Sequence, residues 1–220
     1  MCVTIILTTT VNLNFNKICL FQTNINERIE TYLKSILNWL NNTKFNIILV
    51  DNSGYNFDEL KQELYIHYNR FEIITFDEKT LNQSKYLINN TDKGASELFA
   101  INYAYYNSKL IKQIPTEFII KITGRFFIPD LEKYLQNFDL TKYDCLTQNN
   151  IDRCEMVGCN INNFNNIFNV NSVNNNGEYL FHVEDVYKNR CLKYKNILCC
   201  KIFNIEPTQR GGASEKYTNI

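Results

Sequence analysis

The chain has 220 residues, of which 45% are hydrophobic and 21% charged, a composition typical of a globular domain with a substantial core. Its 23 basic residues balance its 23 acidic residues, which argues against general nucleic-acid binding because such proteins usually carry a basic excess. The length favours a single domain, 1–220. The 8 cysteines include no C-x-x-C pair and have no histidine at ligand spacing, which argues against a zinc site.

The start of the chain is apolar, but it has no basic segment before Lys17, and no apolar run is long enough to cross a bilayer. We therefore expect no signal peptide, no transmembrane segment and a cytoplasmic protein. The abundance of Asn, Lys and Ile is typical of an AT-rich genome; for a large virus the location would be the host cytoplasm. The sequence leaves the oligomeric state open.

In the first half of the chain, buried β-branched runs alternate with segments of helical periodicity. Such β-α-β units with short loops are right-handed and build a mostly parallel sheet flanked by helices. The fold class predicted is therefore α/β, Rossmann-like. The predicted strands are Val3–Thr9, Phe45–Val50, Phe71–Phe76 and Phe118–Ile122, and the predicted helices are 27–40, 60–68 and 97–110.

The second half has shorter elements. We expect 1–128 to bind a nucleotide and 129–220 to supply the pocket of a second substrate. The predicted strands are 143–147, 155–161 and 197–203. One predicted helix follows Asp130 as N-cap, and two others cover 164–168 and 178–191. The rest of the Asn-rich stretch 162–176 is predicted as loops, and the tail 207–220 as a flexible segment.

The stretch from Phe118 to Arg125 reads Phe-Ile-Ile-Lys-Ile-Thr-Gly-Arg, a buried strand that ends in a turn carrying a cation. In open α/β sheets, ligands bind beyond the carboxyl ends of the strands. Two cations around a glycine suit an anion such as phosphate. We therefore predict a phosphate site at Lys121, Thr123, Gly124 and Arg125, with an exposed strand face for Lys121 and a salt bridge for Arg125 as the alternatives.

Two other strand ends carry polar groups. Strand one ends in the hydroxyls of Thr8 and Thr9. Asp51 and Asn52 end strand two, where a carboxylate could accept hydrogen bonds from a ribose or a base. The same residue types also favour a plain turn.

A lysine and a glycine, Lys93 and Gly94, precede a predicted helix. The N–H groups at a helix N-terminus attract anions, and a glycine allows close approach, although a plain loop with a cap accounts for both residues equally well. Glu97 lies in the first turn of that helix, where its charge complements the helix dipole.

Together these segments resemble the glycosyltransferases of the GT-A fold. Family-two-type members carry a Val-Asp-Asp-Gly-Ser-like turn whose first acidic residue holds the nucleotide; Asp51 matches that residue, and Asn52 departs from the second Asp. The motifs Lys-Gly-x-x-Glu at 93–97 and Lys-x-Thr-Gly-Arg at 121–125 also resemble a group of bacterial and large-virus glycosyltransferases.

This resemblance implies a GT-A-like fold and the transfer of a hexose or deoxyhexose from a nucleoside-diphosphate donor to a hydroxyl of a glycan acceptor. It implies that 1–128 is the nucleotide-sugar-binding half and that 129–220 is the smaller acceptor-side half. It also gives Glu97 a contact with a sugar hydroxyl.

One departure from the family concerns metal. Most GT-A enzymes place an Asp-x-Asp motif after the fourth strand to hold Mn²⁺ or Mg²⁺, whereas this chain has lysine and arginine there, which would repel a cation. We therefore expect Arg125, with Lys121 or Lys93, to neutralise the diphosphate in place of a metal ion. A divalent cofactor is the disfavoured alternative.

On the acceptor side, inverting members carry an Asp or Glu at the start of a late helix. Glu184 is the favoured general base, with Asp185 and Glu178 as alternates, and an ordinary solvated helix face would also account for these residues. Arg210, in Gln-Arg-Gly-Gly-Ala-Ser, resembles loops that fold over the donor and could clamp a diphosphate; a disordered terminus is the alternative.

Two other functions remain open. A sugar-phosphate nucleotidyltransferase would carry a glycine-rich loop after strand one, and residues 8–16 contain no glycine. A non-catalytic module that binds a nucleotide-sugar or glycan through a decayed site fits the Asn-rich drift and the missing Asp-x-Asp.

Overall fold

The buried aliphatic runs of the first half form the strands that the sequence predicts. The computed structural model describes residues 2–173, 176 and 178–220. All 7 residues of the first strand are buried, as expected for a strand covered on both faces. The strands are β1 (Val3–Thr9), β2 (Asn46–Asp51), β3 (Phe71–Thr75), β4 (Phe118–Thr123), β5 (Cys145–Thr147), β6 (Met156–Asn160), β7 (Ile197–Cys199), β8 (Asn204–Gln209) and β9 (Lys216–Asn219).

Seven strands form one sheet in the order β3-β2-β1-β4-β6-β5-β7. Four of its six pairings are parallel, and β6 is antiparallel to both β4 and β5, so the sheet is mostly parallel. From β1 the chain proceeds through β2 to β3 on one side and then returns to β4 on the other side. This reversal leaves a crevice beyond the ends of β1 and β4, which is where open α/β sheets bind ligands.

Helices cover both faces of the sheet. One core lies under α1 and includes Tyr32 and Trp39, and the other lies under α3 and includes Leu98. Trp39 also donates a hydrogen bond from Nε1 to the Phe126 carbonyl at 2.9 Å, which fixes α1 against the turn after β4. The helices are α1 (Ile25–Asn42), α2 (Lys61–Ile66), α3 (Lys93–Asn107), α4 (Lys109–Gln113), α5 (Leu131–Leu135), α6 (Phe164–Ile167) and α7 (Val183–Cys191), with 3-10 turns at 58–60, 82–87, 140–142 and 161–163.

Several predicted boundaries are wrong for local reasons. Helix α3 begins at Lys93 rather than at 97 because Asp92 caps it by accepting a hydrogen bond from Gly94 N. Helix α7 begins at Val183 rather than at 178. The Asp130 side chain makes no capping hydrogen bond to α5. Between β3 and α3 the chain forms the 3-10 turn at 82–87, where the sequence predicts no element.

The C-terminal tail is not flexible as predicted but forms the antiparallel hairpin β8–β9. Ile220 is 2% exposed and exchanges backbone hydrogen bonds with Phe203 at 2.7 and 2.9 Å. The Tyr217 ring lies between two guanidinium groups, with Arg153 at 3.7 Å and Arg210 at 4.5 Å. Burial of the last residue and these cation–π contacts stabilise a segment whose glycines suggested disorder.

No helix within 2–173, 176 and 178–220 combines the length and the apolar character that a membrane span requires.

The turn after β4 depends on a glycine for packing. A Cβ at Gly124 would lie 2.6 Å from Thr9 Cγ2 and 2.9 Å from the Thr8 carbonyl oxygen. We expect Gly124→Ala to lower the free energy of unfolding by about 1–3 kcal/mol, the usual cost of overpacking, in a denaturant titration. Gly212→Ala is the matched control, because its Cβ would lie 2.9 Å from Lys93 Nζ, the movable end of a side chain. Equal losses for the two variants would contradict this prediction.

Candidate anion-binding site

A pocket of about 590 Å³ opens at the carboxyl ends of β1 and β4. Its walls come from the loop after β1, the ends of β2 and β4, the N-terminal turns of α3 and α7, and the loop that joins β8 to β9. The pocket therefore lies at the crevice where the strand order reverses, and both halves of the chain contribute to it.

Most of the residues predicted for the site line this pocket, and five do not. The predicted residues in the lining are Thr8, Thr9, Asn52, Lys93, Gly94, Glu97, Thr123, Arg125, Glu184 and Arg210. The predicted residues outside the lining are Asp51, Lys121, Gly124 and the two alternate bases Asp185 and Glu178.

Two arginines lie together in the pocket wall. Arg125 is 5% exposed and Arg28 is 4% exposed. Both contact the hydroxyl of Tyr32, Arg125 from Nη2 at 3.3 Å and Arg28 from Nη2 at 3.1 Å. Gln22 joins them further, since its Oε1 accepts from Arg125 Nη1 at 2.7 Å and its carbonyl accepts from Arg28 Nη1 at 2.8 Å. Burial, and also the charge of Arg28, lower the pKa of Arg125.

Lys93 adds a third cation at the N-terminus of α3. Its Nζ donates to the Cys19 carbonyl at 2.6 Å. Burial lowers the pKa of Lys93 and the charges of Arg125 and Arg28 act in the same direction, which outweighs the opposing effect of Cys19 and Glu184. The three cations are therefore close enough to repel one another.

The cations have no carboxylate partner at close range. In the described part of the chain, no Asp or Glu oxygen lies within 4.0 Å of a charged nitrogen of Arg28, Lys93, Arg125 or Arg210. Burying a charge is costly unless an opposite charge or strong hydrogen bonds compensate it. Neutral oxygens hold the two arginines in place but do not balance their charge, so this wall of the pocket attracts an anion.

The loop between β8 and β9 covers these cations. A Cβ on Gly211 would lie 2.8 Å from Arg125 Nη2, so the backbone contacts the guanidinium directly. The Gly211 carbonyl accepts from Phe21 N at 3.1 Å, and the Gln209 carbonyl accepts from Arg125 Nη1 at 3.1 Å. Glycines at this loop let the backbone approach where a side chain would displace the arginine.

Asp51 has a structural role that differs from the predicted ligand contact. It is 0% exposed, and burial raises its pKa against the lowering effect of its hydrogen bonds. Oδ1 accepts from Ser53 N at 2.8 Å, Ser53 Oγ at 2.6 Å and Tyr55 N at 3.2 Å. Oδ2 accepts from Thr9 Oγ1 at 3.0 Å and Val11 N at 3.2 Å. With both oxygens occupied, Asp51 ties the end of β1 to the turn after β2.

Asn52 and its neighbours form a second buried network. Asn52 Nδ2 donates to Glu78 Oε2 at 2.9 Å, and Ser96 Oγ donates to Glu78 Oε1 at 2.9 Å. Lys17 forms an ion pair with Glu78 Oε1 at 3.2 Å, with both side chains 7% exposed. The charge of this lysine is therefore balanced, unlike those of the pocket arginines.

Lys121 is likewise neutralised and does not face the phosphate side. It is 0% exposed, and its Nζ lies 2.7 Å from Glu97 Oε1, 2.7 Å from the Cys154 carbonyl and 3.3 Å from Thr123 Oγ1. Burial lowers the pKa of Lys121, but the charge and hydrogen bond of Glu97, together with smaller contributions from Cys154 and Glu155, outweigh burial and raise it. The predicted diphosphate contact is therefore replaced by a buried ion pair beneath the pocket.

Glu184 and Asp185 diverge, as expected for consecutive residues of a helix. Glu184 is half-buried in the pocket, whereas Asp185 is exposed outside it. The charge of Glu184 acts on the pKa of both Lys93 and Glu97, so its carboxylate lies near both groups. Glu178 precedes α7 and does not line the pocket.

The donor set at this pocket does not fit a divalent metal. The turn after β4 presents Thr123 and Arg125 where the GT-A resemblance implies two carboxylates. Among the acidic side chains of the lining, Glu78, Glu97 and Glu155 are each paired with a basic residue and Asp92 caps α3, whereas Glu184 has no such partner among the described residues. Within the described residues, no group of three or more His, Cys, Asp or Glu side chains is arranged to hold an ion. Because Mn²⁺ and Mg²⁺ prefer free carboxylate oxygens, we route no chemical step through a metal.

Sequence reasoning missed Arg28, Tyr32 and Gln22. A signal for the first was present, since Arg28 stands four residues before Tyr32 and shares the buried face of α1 with Trp39. A charged residue on an otherwise apolar helix face indicates a buried polar contact. Nothing in the sequence marks Gln22, because its contacts with both arginines depend on how the loop after β1 folds back.

No protein-family model matches the chain, and no curated protein matches it by sequence. Several solved structures match the chain, among them the following three. The glycosyltransferase GlyE of Streptococcus pneumoniae is 9% identical with a TM-score of 0.51 and covers 90% of this chain, which spans 45% of GlyE. A protein of Desulfovibrio desulfuricans G20, assigned as a nucleotide-diphospho-sugar transferase, is 16% identical with a TM-score of 0.49. The match covers 91% of this chain and 80% of that protein's chain. TarS 1-349 of S. aureus is 14% identical with a TM-score of 0.46, and the match covers 99% of this chain and 60% of the TarS chain.

The similarity to GlyE confirms the predicted fold class, an α/β GT-A-like fold with a mostly parallel central sheet flanked by helices. At this identity the match establishes the fold alone. The chain spans less than half of GlyE, so the activity is argued from the residues of the pocket.

The pocket cations should bind inorganic pyrophosphate without metal. In EDTA, pyrophosphate at about 100 times its Kd should raise the melting temperature by about 5 to 10 °C. Arg28→Met and Arg125→Met should each weaken the affinity about 10- to 100-fold, because each removes hydrogen bonds to a charged group. Lys188→Met, which removes a cation outside the pocket, is the control. Unchanged affinity in both arginine variants would contradict the site.

The affinity for pyrophosphate should also depend on pH through Lys93. Because its pKa is lowered, the ammonium loses its proton at a lower pH than an ordinary lysine, and affinity should fall as the pH rises through that pKa. Lys93→Arg should move this fall to higher pH in calorimetric titrations. Cys19→Ser controls for the thiol near Lys93, and a wild-type affinity that falls at no lower pH than that of Lys93→Arg would contradict the prediction.

Proposed function

We propose that this protein is a glycosyltransferase that transfers a sugar from a nucleoside-diphosphate donor to a sugar hydroxyl of a glycan acceptor. The observation that carries the proposal is the group of uncompensated cations, Arg28, Lys93 and Arg125, beside the half-buried carboxylate of Glu184. An anion site next to a carboxylate is what phosphate departure coupled to proton removal requires. The GT-A-like fold supports this proposal.

In the proposed reaction, Glu184 takes the proton from the acceptor hydroxyl as its oxygen attacks the anomeric carbon of the donor. The bond between that carbon and the phosphate oxygen breaks, and its electron pair leaves with the nucleoside diphosphate. Direct attack inverts the configuration at the anomeric carbon. Arg28, Arg125 and Lys93 stabilise the charge that develops on the leaving diphosphate, the work that a metal ion performs in many enzymes.

The other candidate functions lack an observation in their favour. A nucleotidyltransferase needs free backbone N–H groups after strand one, but here Val11 N donates to Ser53 Oγ at 3.0 Å and Asn12 N donates to the same oxygen at 2.9 Å. A binding module needs no carboxylate beside the anion site. Asp51 and Lys121, whose side chains are fully engaged inside the protein, are left out of the proposed set of ligand contacts.

The role of Glu184 has a direct test. With UDP-glucose, GDP-mannose and dTDP-glucose offered in EDTA, the protein should release the nucleoside diphosphate from one of them, slowly to water and faster when a glycan acceptor is present. Glu184→Gln should lower that rate about 10²- to 10⁴-fold, the usual contribution of a general base, while the affinity for the nucleoside diphosphate stays within about twofold.

Asp185→Asn is the matched control, because Asp185 is the neighbouring carboxylate and lies outside the pocket. Equal loss in the two variants would contradict the assignment of Glu184. Tight binding of a nucleotide-sugar with no release under any condition would favour the binding module instead.

A further inference from the structure

One of the two carboxylate oxygens of Glu97 is available to contact the donor sugar. Glu97 lines the pocket with 19% of its side chain exposed. The Lys121 ammonium at 2.7 Å and the Tyr187 hydroxyl at 3.3 Å both contact the same oxygen, Oε1. Within the described residues, Oε2 has no donor. An oxygen of this kind accepts hydrogen bonds from a ligand hydroxyl.

Lys121 holds Glu97 in this arrangement and has no hydrogen-bonding capacity left for a ligand. Its ammonium has three hydrogens and three acceptors, which are Glu97 Oε1, the Cys154 carbonyl and Thr123 Oγ1. The side chain is 0% exposed, so Lys121 has no hydrogen left for an acidic group that enters the pocket. It is therefore a positioning residue that holds Glu97 Oε1 away from the ligand. Burial raises the pKa of Glu97, and the charge and hydrogen bond of Lys121 oppose that rise.

The two glutamates lie beside the cations at the start of α3 and α7. Lys93 and Glu97 are four residues apart on α3, so they share one face of the helix, and both line the pocket. The start of α7 packs against this turn, because a Cβ on Gly94 would lie 2.4 Å from Cβ of Val183, the residue before Glu184. A diphosphate at the cations thus directs the group attached to it toward the two glutamates. At that end the pocket presents carboxylate oxygens, which accept hydrogen bonds and repel a negative charge.

We propose that the pocket selects a donor whose sugar carries free hydroxyls and no acidic group, with Glu97 as the hydroxyl acceptor and Lys121 as its positioning residue. This inference rests on the proposed function. A uronic acid would bring a carboxylate toward Glu97 and Glu184, and like charges placed together repel one another. A neutral hexose or an N-acetylhexosamine offers donors to the same oxygens.

The test compares donors that differ only at C6 of the sugar, which carries a hydroxymethyl group in one and a carboxylate in the other. Calorimetric titrations in EDTA would use UDP, UDP-glucose and UDP-glucuronate, or the corresponding GDP-mannose and GDP-mannuronate or dTDP pairs if UDP does not bind. We expect the neutral sugar to bind roughly 10- to 100-fold more tightly than the uronate. Equal or tighter binding of the uronate would overturn the inference. If no nucleoside diphosphate binds at all, the proposed function fails instead.

A double variant tests whether Glu97 and Lys121 cause the preference for a neutral sugar. Glu97→Gln with Lys121→Met removes both charges of the pair together, so neither partner is left buried and unpaired. We expect this double variant to bind the free nucleoside diphosphate within about twofold of wild type, which also shows that it is folded. The preference for the neutral sugar should fall about tenfold, because the amide of glutamine replaces the repelling oxygen.

The single variant Lys121→Met separates positioning from a purely structural role. Without the ammonium, Glu97 should take up a proton and donate a hydrogen bond, so the discrimination against the uronate should weaken as in the double variant. Asp185→Asn should leave the ratio unchanged. The alternative result is that Lys121→Met loses nucleoside-diphosphate binding in proportion to its loss of stability, while the ratio of its affinities for the two donor sugars is unaltered. That result would show that the Glu97–Lys121 pair only supports the fold.

Discussion

The structure depends on which of its buried positive charges are neutralised by a carboxylate. The two buried lysines are each paired with a glutamate, Lys17 with Glu78 at 3.2 Å and Lys121 with Glu97 at 2.7 Å. Arg28 and Arg125, buried to the same degree, are held only by a phenol, an amide and backbone carbonyls. Arg190 is also buried without a carboxylate partner among the described residues, held by backbone carbonyls outside the pocket. What distinguishes Arg28 and Arg125 is that both line the pocket together with Lys93, and this grouping makes that wall an anion site.

The fold accounts for where this wall lies. The reversal of strand order between β1 and β4 opens the crevice, and Gly124 lets the turn after β4 pack against the end of β1. Helix α1 brings Arg28 from one side, α3 brings Lys93 from the other, and the β8–β9 loop closes above them. Elements from distant parts of the chain therefore meet at one charge cluster, which explains why the last 20 residues are ordered.

Much of the fold could be predicted from sequence because its signals are local. The β-branched runs around Ile6, Leu49 and Ile120 define strands by themselves, and the resemblance to GT-A enzymes then supplied the fold class. The hairpin at the C-terminus could not be predicted, because it is stabilised by contacts of Tyr217 with Arg153 and by burial of Ile220, which no local pattern encodes.

The candidate site was predicted less completely, for the same reason. Arg125 and Glu184 were found because a strand end and a helix start mark them in the sequence. Lys121 was assigned to the ligand, since a lysine on a strand does not reveal a glutamate on a distant helix that neutralises it. Arg28 was missed because its partner groups, Thr10 and Gln22, lie in a loop whose path the sequence does not specify.

The central claim is that Arg28, Lys93 and Arg125 receive the diphosphate of the donor directly. A crystal structure with a bound nucleoside diphosphate, grown in EDTA, tests it most directly. The account predicts diphosphate oxygens within hydrogen-bond distance of both arginines and of Lys93, with the Glu97–Lys121 pair intact below. A diphosphate bound elsewhere, with the arginines still holding only Gln22, Tyr32 and Thr10, would contradict it.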